Sequence, residues 1–156
     1  MFIAFFQTYT KRTGTFGPDG VSGDQDHVVV ARAAEAAFDL AGEPLAYEDD
    51  LEEDQPAWRA AKLYQLVVPA SQVGALGERA PSEYGSGDDD GTLRIELGEL
   101  AQLKLAAISR HVSQTGSSGP FRDWDPAARE AWLATEHYRL ASSVFDHPAE
   151  GESSLF

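Results

Sequence analysis

The chain of 156 residues contains no cysteine, which excludes disulfides, thiolate zinc sites and cysteine nucleophiles. Basic residues are scarce: 12 Lys and Arg stand against 26 Asp and Glu, for a formal net charge of -14. Nucleic acid and anionic membrane surfaces both require a positive footprint, so neither is an expected partner. No run of about 20 apolar residues exists to span a bilayer. The apolar start, Met1 to Phe6, lacks a basic residue ahead of it and a small-residue cleavage site behind it. It therefore fails as a signal peptide, and a cytoplasmic location is the expectation. What remains is globular: 42% hydrophobic residues with 10% aromatics, enough for one compact domain.

Chemistry is concentrated in Gly17-Pro18-Asp19-Gly20-Val21-Ser22-Gly23-Asp24-Gln25-Asp26-His27. Glycines let a ligand or metal come close to the main chain, while carboxylates and imidazole bind metals and move protons. The same residues also fit an ordinary capping turn, with Asp24 or Asp26 satisfying the free amides of a following helix.

Around this loop the pattern predicts an aromatic strand over Phe2 to Tyr9, broken by Lys11 to Gly14. A helix is expected from His27 to about Ala41, burying Val30, Ala33, Ala34, Ala37 and Phe38, with Gly42 ending it. Glu48 to Asp54 reads as a solvated acidic loop. Lys62 to Val68 is β-branched and aromatic and reads as an internal strand. Ser71 to Asp90 reads as loop or a short helical turn, and Thr92 to Leu97 alternates as a strand with one wet face. The Ser86 to Leu97 stretch imitates a calcium loop but lacks acids at its first and last positions.

Glu99 to about Gln114 is expected to be a sandwiched helix. Leu105, Ile108 and Val112 form one stripe, and Lys104, His111 and Gln114 look into a cleft. Asp125-Pro126 opens a last helix whose apolar face carries Leu133, His137, Leu140 and Val144. His137 reads as a satisfied core histidine. The expected organisation is a single α/β domain over residues 1–147, layered and with a mixed sheet flanked by helices, and a flexible tail over residues 148–156.

The block Thr15-Phe16-Gly17-Pro18-Asp19-Gly20-Val21-Ser22-Gly23-Asp24-Gln25-Asp26-His27-Val28 resembles the Thr-Phe-Gly-Pro-Asp-Gly-x-x-Gly-His-Pro-Asp-His-x block of the PIG-L (LmbE-like) zinc N-deacetylases. Lys62-Leu63-Tyr64 resembles that family's Lys-Leu-Tyr strand. Lys104-x-x-Ala107-x-x-x-His111-x-Ser113-Gln114 resembles its C-terminal helix, and Glu136-x-Tyr138-Arg139-Leu140 its closing helix. The resemblance implies a partial Rossmann-like fold and a zinc-activated water that attacks an N-acetyl group on a glucosamine-type sugar or conjugate. It implies His27 as a zinc ligand and Asp24 at the catalytic position. Asp19, Asp26, His111 and Gln114 become cleft residues.

Two departures accompany the match. The family's Ala-His-Pro-Asp-Asp segment, source of two further zinc ligands and the general base, has no counterpart in the chain. Asp24 stands where the family has His, and Gln25 where it has Pro. A catalytic zinc needs about three protein ligands plus water, so an amide hydrolase that is weakly active or inactive alone is expected. The other readings are a non-catalytic acidic binding module and a chain complemented by a separate N-terminal half. The missing strands and the apolar start also suggest a homo-oligomer.

Overall fold

The computed structural model describes residues 12–21, 24–46, 57–75, 91, 93–115 and 126–145. The predicted Phe2 to Tyr9 strand, the acidic loop and the C-terminal tail all lie outside them, and of the calcium-loop imitation only Gly91 and Leu93 to Leu97 lie within. The described elements are β1 (Arg12–Phe16), α1 (Gln25–Leu40), β2 (Lys62–Val67), α2 (Ala70–Ala75), β3 (Leu93–Glu96), α3 (Leu100–Ser109), α4 (Val112–Thr115), α5 (Pro126–Ala134) and β4 (Thr135–Ser143). The strands form one mixed sheet in the order β1-β2-β4-β3. β1 runs parallel to β2, with Phe16 opposite Leu66, and β4 runs antiparallel to both β2 and β3. This is an α/β fold. Among the described residues no helix is long and apolar enough to cross a membrane.

The run Leu63, Tyr64, Gln65 fills the centre of the sheet, and side chains alternate between its faces. On the α1 side, Leu63 packs with Phe38, Ala60 and Trp58. On the other side Tyr64 and Leu93 pack with Ile95, Tyr138 and Leu140. Burying Leu63 and Tyr64 stabilises the fold by about 2 kcal/mol each.

Four sequence expectations are corrected here. Residues 12–14 open strand β1 instead of breaking a strand, because they join a full parallel ladder with β2. Gly14 is accommodated beside the Tyr138 ring, where a β-carbon would lie 4.0 Å from Cε1. Helix α1 starts at Gln25 and buries Val28, Ala31, Ala34, Ala37 and Phe38. Its inward stripe is therefore rotated away from Val30 and Ala33, which are half-buried and exposed. The helix expected to run through Glu99 and Gln114 is two helices interrupted at Arg110 and His111, and α3 has no buried residue. It lies on the molecule's surface, not between layers.

The last helix ends at Ala134, and Thr135–Ser143 is strand β4. The spacing of Leu133, His137, Leu140 and Val144, four, three and four residues apart, suggests a helix, but the segment finds hydrogen-bonding partners on both flanks. Pairing with two strands overrides a local helical period. Glu136, Tyr138 and Leu140 consequently share one sheet face, and Thr135, His137 and Arg139 the other.

Candidate functional site

Strand β1 delivers Phe16 to a tight turn in which the Gly20 amide donates to the Gly17 carbonyl at 2.9 Å. Gly17 is buried, and a β-carbon there would meet the Leu66 carbonyl oxygen at 3.0 Å. Gly20 has φ +68, and its missing β-carbon would fall 2.6 Å from the Asp24 carbonyl oxygen. Only glycine satisfies both demands. The next residue, Val21, also has positive φ, at 69°. A β-branched residue in the left-handed region costs about 1–2 kcal/mol. Asp19 offsets part of this by accepting from the Val21 amide at 2.9 Å.

The chain then enters α1 through Asp24. Its Oδ1 accepts from the amides of Asp26 at 2.9 Å and His27 at 3.4 Å. Asp24 is thus the N-cap, a role that contributes about 1 kcal/mol. Asp26 lies exposed in the first turn.

His27 is held from two directions. Its ring stacks on Phe16, with centroids 4.0 Å apart and planes at 6°, and its Nδ1 lies 3.1 Å from the Gly20 carbonyl oxygen. A carbonyl only accepts, so in the neutral ring Nδ1 carries the proton and Nε2 carries the lone pair. A backbone carbonyl fixing one imidazole nitrogen is the usual support for a histidine that binds metal, or takes a proton, through the other. The loop lies at the C-terminal ends of the parallel pair β1 and β2, the edge where open α/β sheets bind ligands.

Among the described residues no group of three or more His, Asp or Glu side chains is placed to hold a metal ion. The donor set fits one corner of a zinc site and not a whole one. The remaining sequence candidates are dispersed. Asp19 is exposed and turned back onto its own loop, His111 is exposed between α3 and α4, and Gln114 belongs to α4.

Lys104 pairs with a partner that the sequence pattern did not supply. Its Nζ lies 2.8 Å from Glu136 Oε1, and the Tyr138 hydroxyl donates to Glu136 Oε2 at 2.7 Å. On a helix Glu136 and Tyr138 fall on different faces. In strand β4 they align at i and i+2. Burial pushes the Glu136 carboxyl up. The hydrogen bonds from Lys104 and Tyr138 and the Lys104 charge outweigh it, leaving the group below its ordinary value. Burial, then the hydrogen bond to Glu136 and its charge, push the Tyr138 hydroxyl up.

A depressed folded-state carboxylate stabilises the protein above its ordinary value of 4.5, and that contribution disappears as pH falls through the folded-state value. Lys104→Met should move the Glu136 midpoint upward, so that the acid-side loss of stability begins at higher pH. Urea denaturation across the acid range checks this; an unchanged onset would show that the ammonium does not hold Glu136 ionised.

The fold and the loop define the chain as an α/β protein with a histidine held at the C-terminal edge of its parallel strands. No family model matches the chain. It is 34% identical over 160 residues to the 1D-myo-inositol 2-acetamido-2-deoxy-alpha-D-glucopyranoside deacetylase of Geodermatophilus obscurus, covering 91% of this chain and 52% of that protein. Enzymes of the same name match from Streptomyces griseus (33% over 158 residues, 91% of this chain and 47% of that one) and from Rhodococcus jostii (30% over 158 residues, 91% and 52%). The chain belongs to the PIG-L (LmbE-like) deacetylase family. It spans about half the length of the curated relatives it matches, and the match falls on their C-terminal part.

Proposed function

We propose that the Gly17 to His27 loop is the substrate-side half of a PIG-L-type N-deacetylase site. In this proposal His27 is the zinc ligand that the loop contributes, and the chain by itself is weakly active or inactive. The observation that carries the proposal is the Gly20 carbonyl oxygen 3.1 Å from His27 Nδ1, a contact that leaves Nε2 for a ligand. The substrate class, an N-acetylated amino sugar joined to a polyol, follows from the names of the relatives. A cytoplasmic location belongs to the same proposal.

Two features argue against turnover by the chain alone. Catalytic zinc sites use about three protein ligands, and the described residues bring one histidine to the loop. Asp24, at the position of the first histidine of the family's block, has its carboxylate engaged in capping α1. A carboxylate is also a poor group to stabilise a developing oxyanion, which calls for donors or cations. The second reading, a non-catalytic acidic binding module that keeps the fold, draws on that same capping.

Zinc titration followed by a hydrolysis assay on an N-acetylglucosaminyl inositol tests the proposal. The expected result is no stoichiometric zinc and no rate above buffer for the chain alone. Adding a separate polypeptide that carries an Ala-His-Pro-Asp-Asp segment should give zinc binding that is lost in His27→Ala. Tight stoichiometric zinc in the chain alone would overturn the half-site, and so would reconstituted zinc binding that ignores His27→Ala.

A further inference from the structure

Helix α3 is rich in apolar residues, yet none of its residues is buried. Its inner side is formed by Ala101, Lys104, Leu105 and Ile108, all half-buried, where Lys104 reaches Glu136 and the helix packs on α5. The outer side carries Glu99, Leu103, Ala106 and Arg110, spaced four, three and four residues apart and all exposed. Leu103 is 67% exposed and Leu100, beside it, 58%. That spacing is the seam of a helix that packs lengthwise on another helix. No acid occurs from Leu100 to Gln114, although the whole chain has 26. Glu99 makes no capping hydrogen bond to the helix it precedes.

We propose that this stripe is a homodimer interface, in which α3 of two copies packs antiparallel across a two-fold axis. The stripe is self-complementary in that orientation. Glu99 faces the partner subunit's Arg110, and Leu103 faces the partner subunit's Ala106, a large residue against a small one. A two-fold interface requires this kind of reciprocal match. Apart from Glu99, which faces the partner subunit's Arg110, the stripe carries no acid, so two copies of a chain with net charge -14 meet there with little repulsion. These points select a second copy over an unrelated partner. Two short helices bury less than the roughly 1,200 Å² of a stable interface, so the association is weak and of about micromolar affinity. None of this rests on the proposed deacetylase site.

Sedimentation equilibrium over roughly 1–300 μM tests it, a range that brackets that affinity. Wild type should shift from monomer to dimer, and Leu103→Glu should stay monomeric. Glu99→Arg and Arg110→Glu should each weaken association about tenfold, since each places two like-charge pairs across the axis. The double variant Glu99→Arg/Arg110→Glu, with the pairs restored in reverse, should return to within about twofold of wild type by the same count. Circular dichroism confirms that each variant is folded. A monomer throughout the range overturns the proposal, as does a dimer indifferent to Leu103→Glu. So does a double variant no tighter than the singles.

Discussion

Replacing Gly20 by alanine should destabilise the protein by about 3 kcal/mol, from left-handed strain plus a backbone overlap that nothing flexible can relieve. The atom in the way is the Asp24 carbonyl oxygen, 2.6 Å from the added carbon, with His27 Cβ and Val28 Cγ2 each at 3.1 Å. The Asp24 carbonyl accepts the first hydrogen bond of α1, from the Val28 amide, so it moves only if the helix start moves. Gly98 supplies the control. It too has positive φ, at +50, but nothing lies within 4 Å of its missing β-carbon. Gly98→Ala should cost only the backbone part, about 1 kcal/mol. Urea denaturation of both variants separates strain from overlap, and equal losses would show that the turn yields freely. Because the Gly20 carbonyl also fixes His27 Nδ1, Gly20→Ala should additionally abolish any zinc binding in the reconstituted system.

Gln65→Leu should cost about 3 kcal/mol, because it strands two charged side chains in a partly buried setting. Gln65 is only 2% exposed. Its Nε2 donates to Glu35 on α1, and its Oε1 accepts from Arg139 Nη2 at 2.6 Å on β4. The amide thus joins an anion to a cation through one side chain, tying α1 to the centre of the sheet. Leucine matches the volume and offers neither function. The triple variant Glu35→Met/Gln65→Leu/Arg139→Met should be less destabilised than Gln65→Leu alone, since no charge is left without its partner. Chemical denaturation of the two variants decides the matter; a triple variant equal to or worse than the single would place the loss in packing.

Much of this architecture is legible in the sequence. The start of β2 and the alternation of β3 follow from β-branched and apolar spacing, and a carboxylate cap, Asp24 or Asp26, from their position before a helical run; the structure uses Asp24. The loop's family was legible because its glycines answer to backbone geometry that few other sequences satisfy. The C-terminal segment was not legible for a physical reason. Residues 133 to 144 carry a helical spacing, and only the flanking strands β2 and β3 decide otherwise. That error concealed the Lys104, Glu136 and Tyr138 cluster and the Arg139 link to Gln65, both of which depend on strand alternation. The apolar positions of α3 were visible, but their exposure was not: spacing states which residues share a side and says nothing of whether that side is covered.

The stack of Phe16 on His27 has a spectroscopic consequence. A near-parallel ring 4.0 Å away places the imidazole carbon-bound protons in the shielding region of the phenyl ring current. The His27 resonances are therefore displaced upfield from those of an unstacked histidine. A single proton spectrum then reports on the loop directly. Loss of the displacement marks the ring leaving its seat, and further movement on adding zinc marks a bond forming at the far nitrogen, with no substrate and no turnover required.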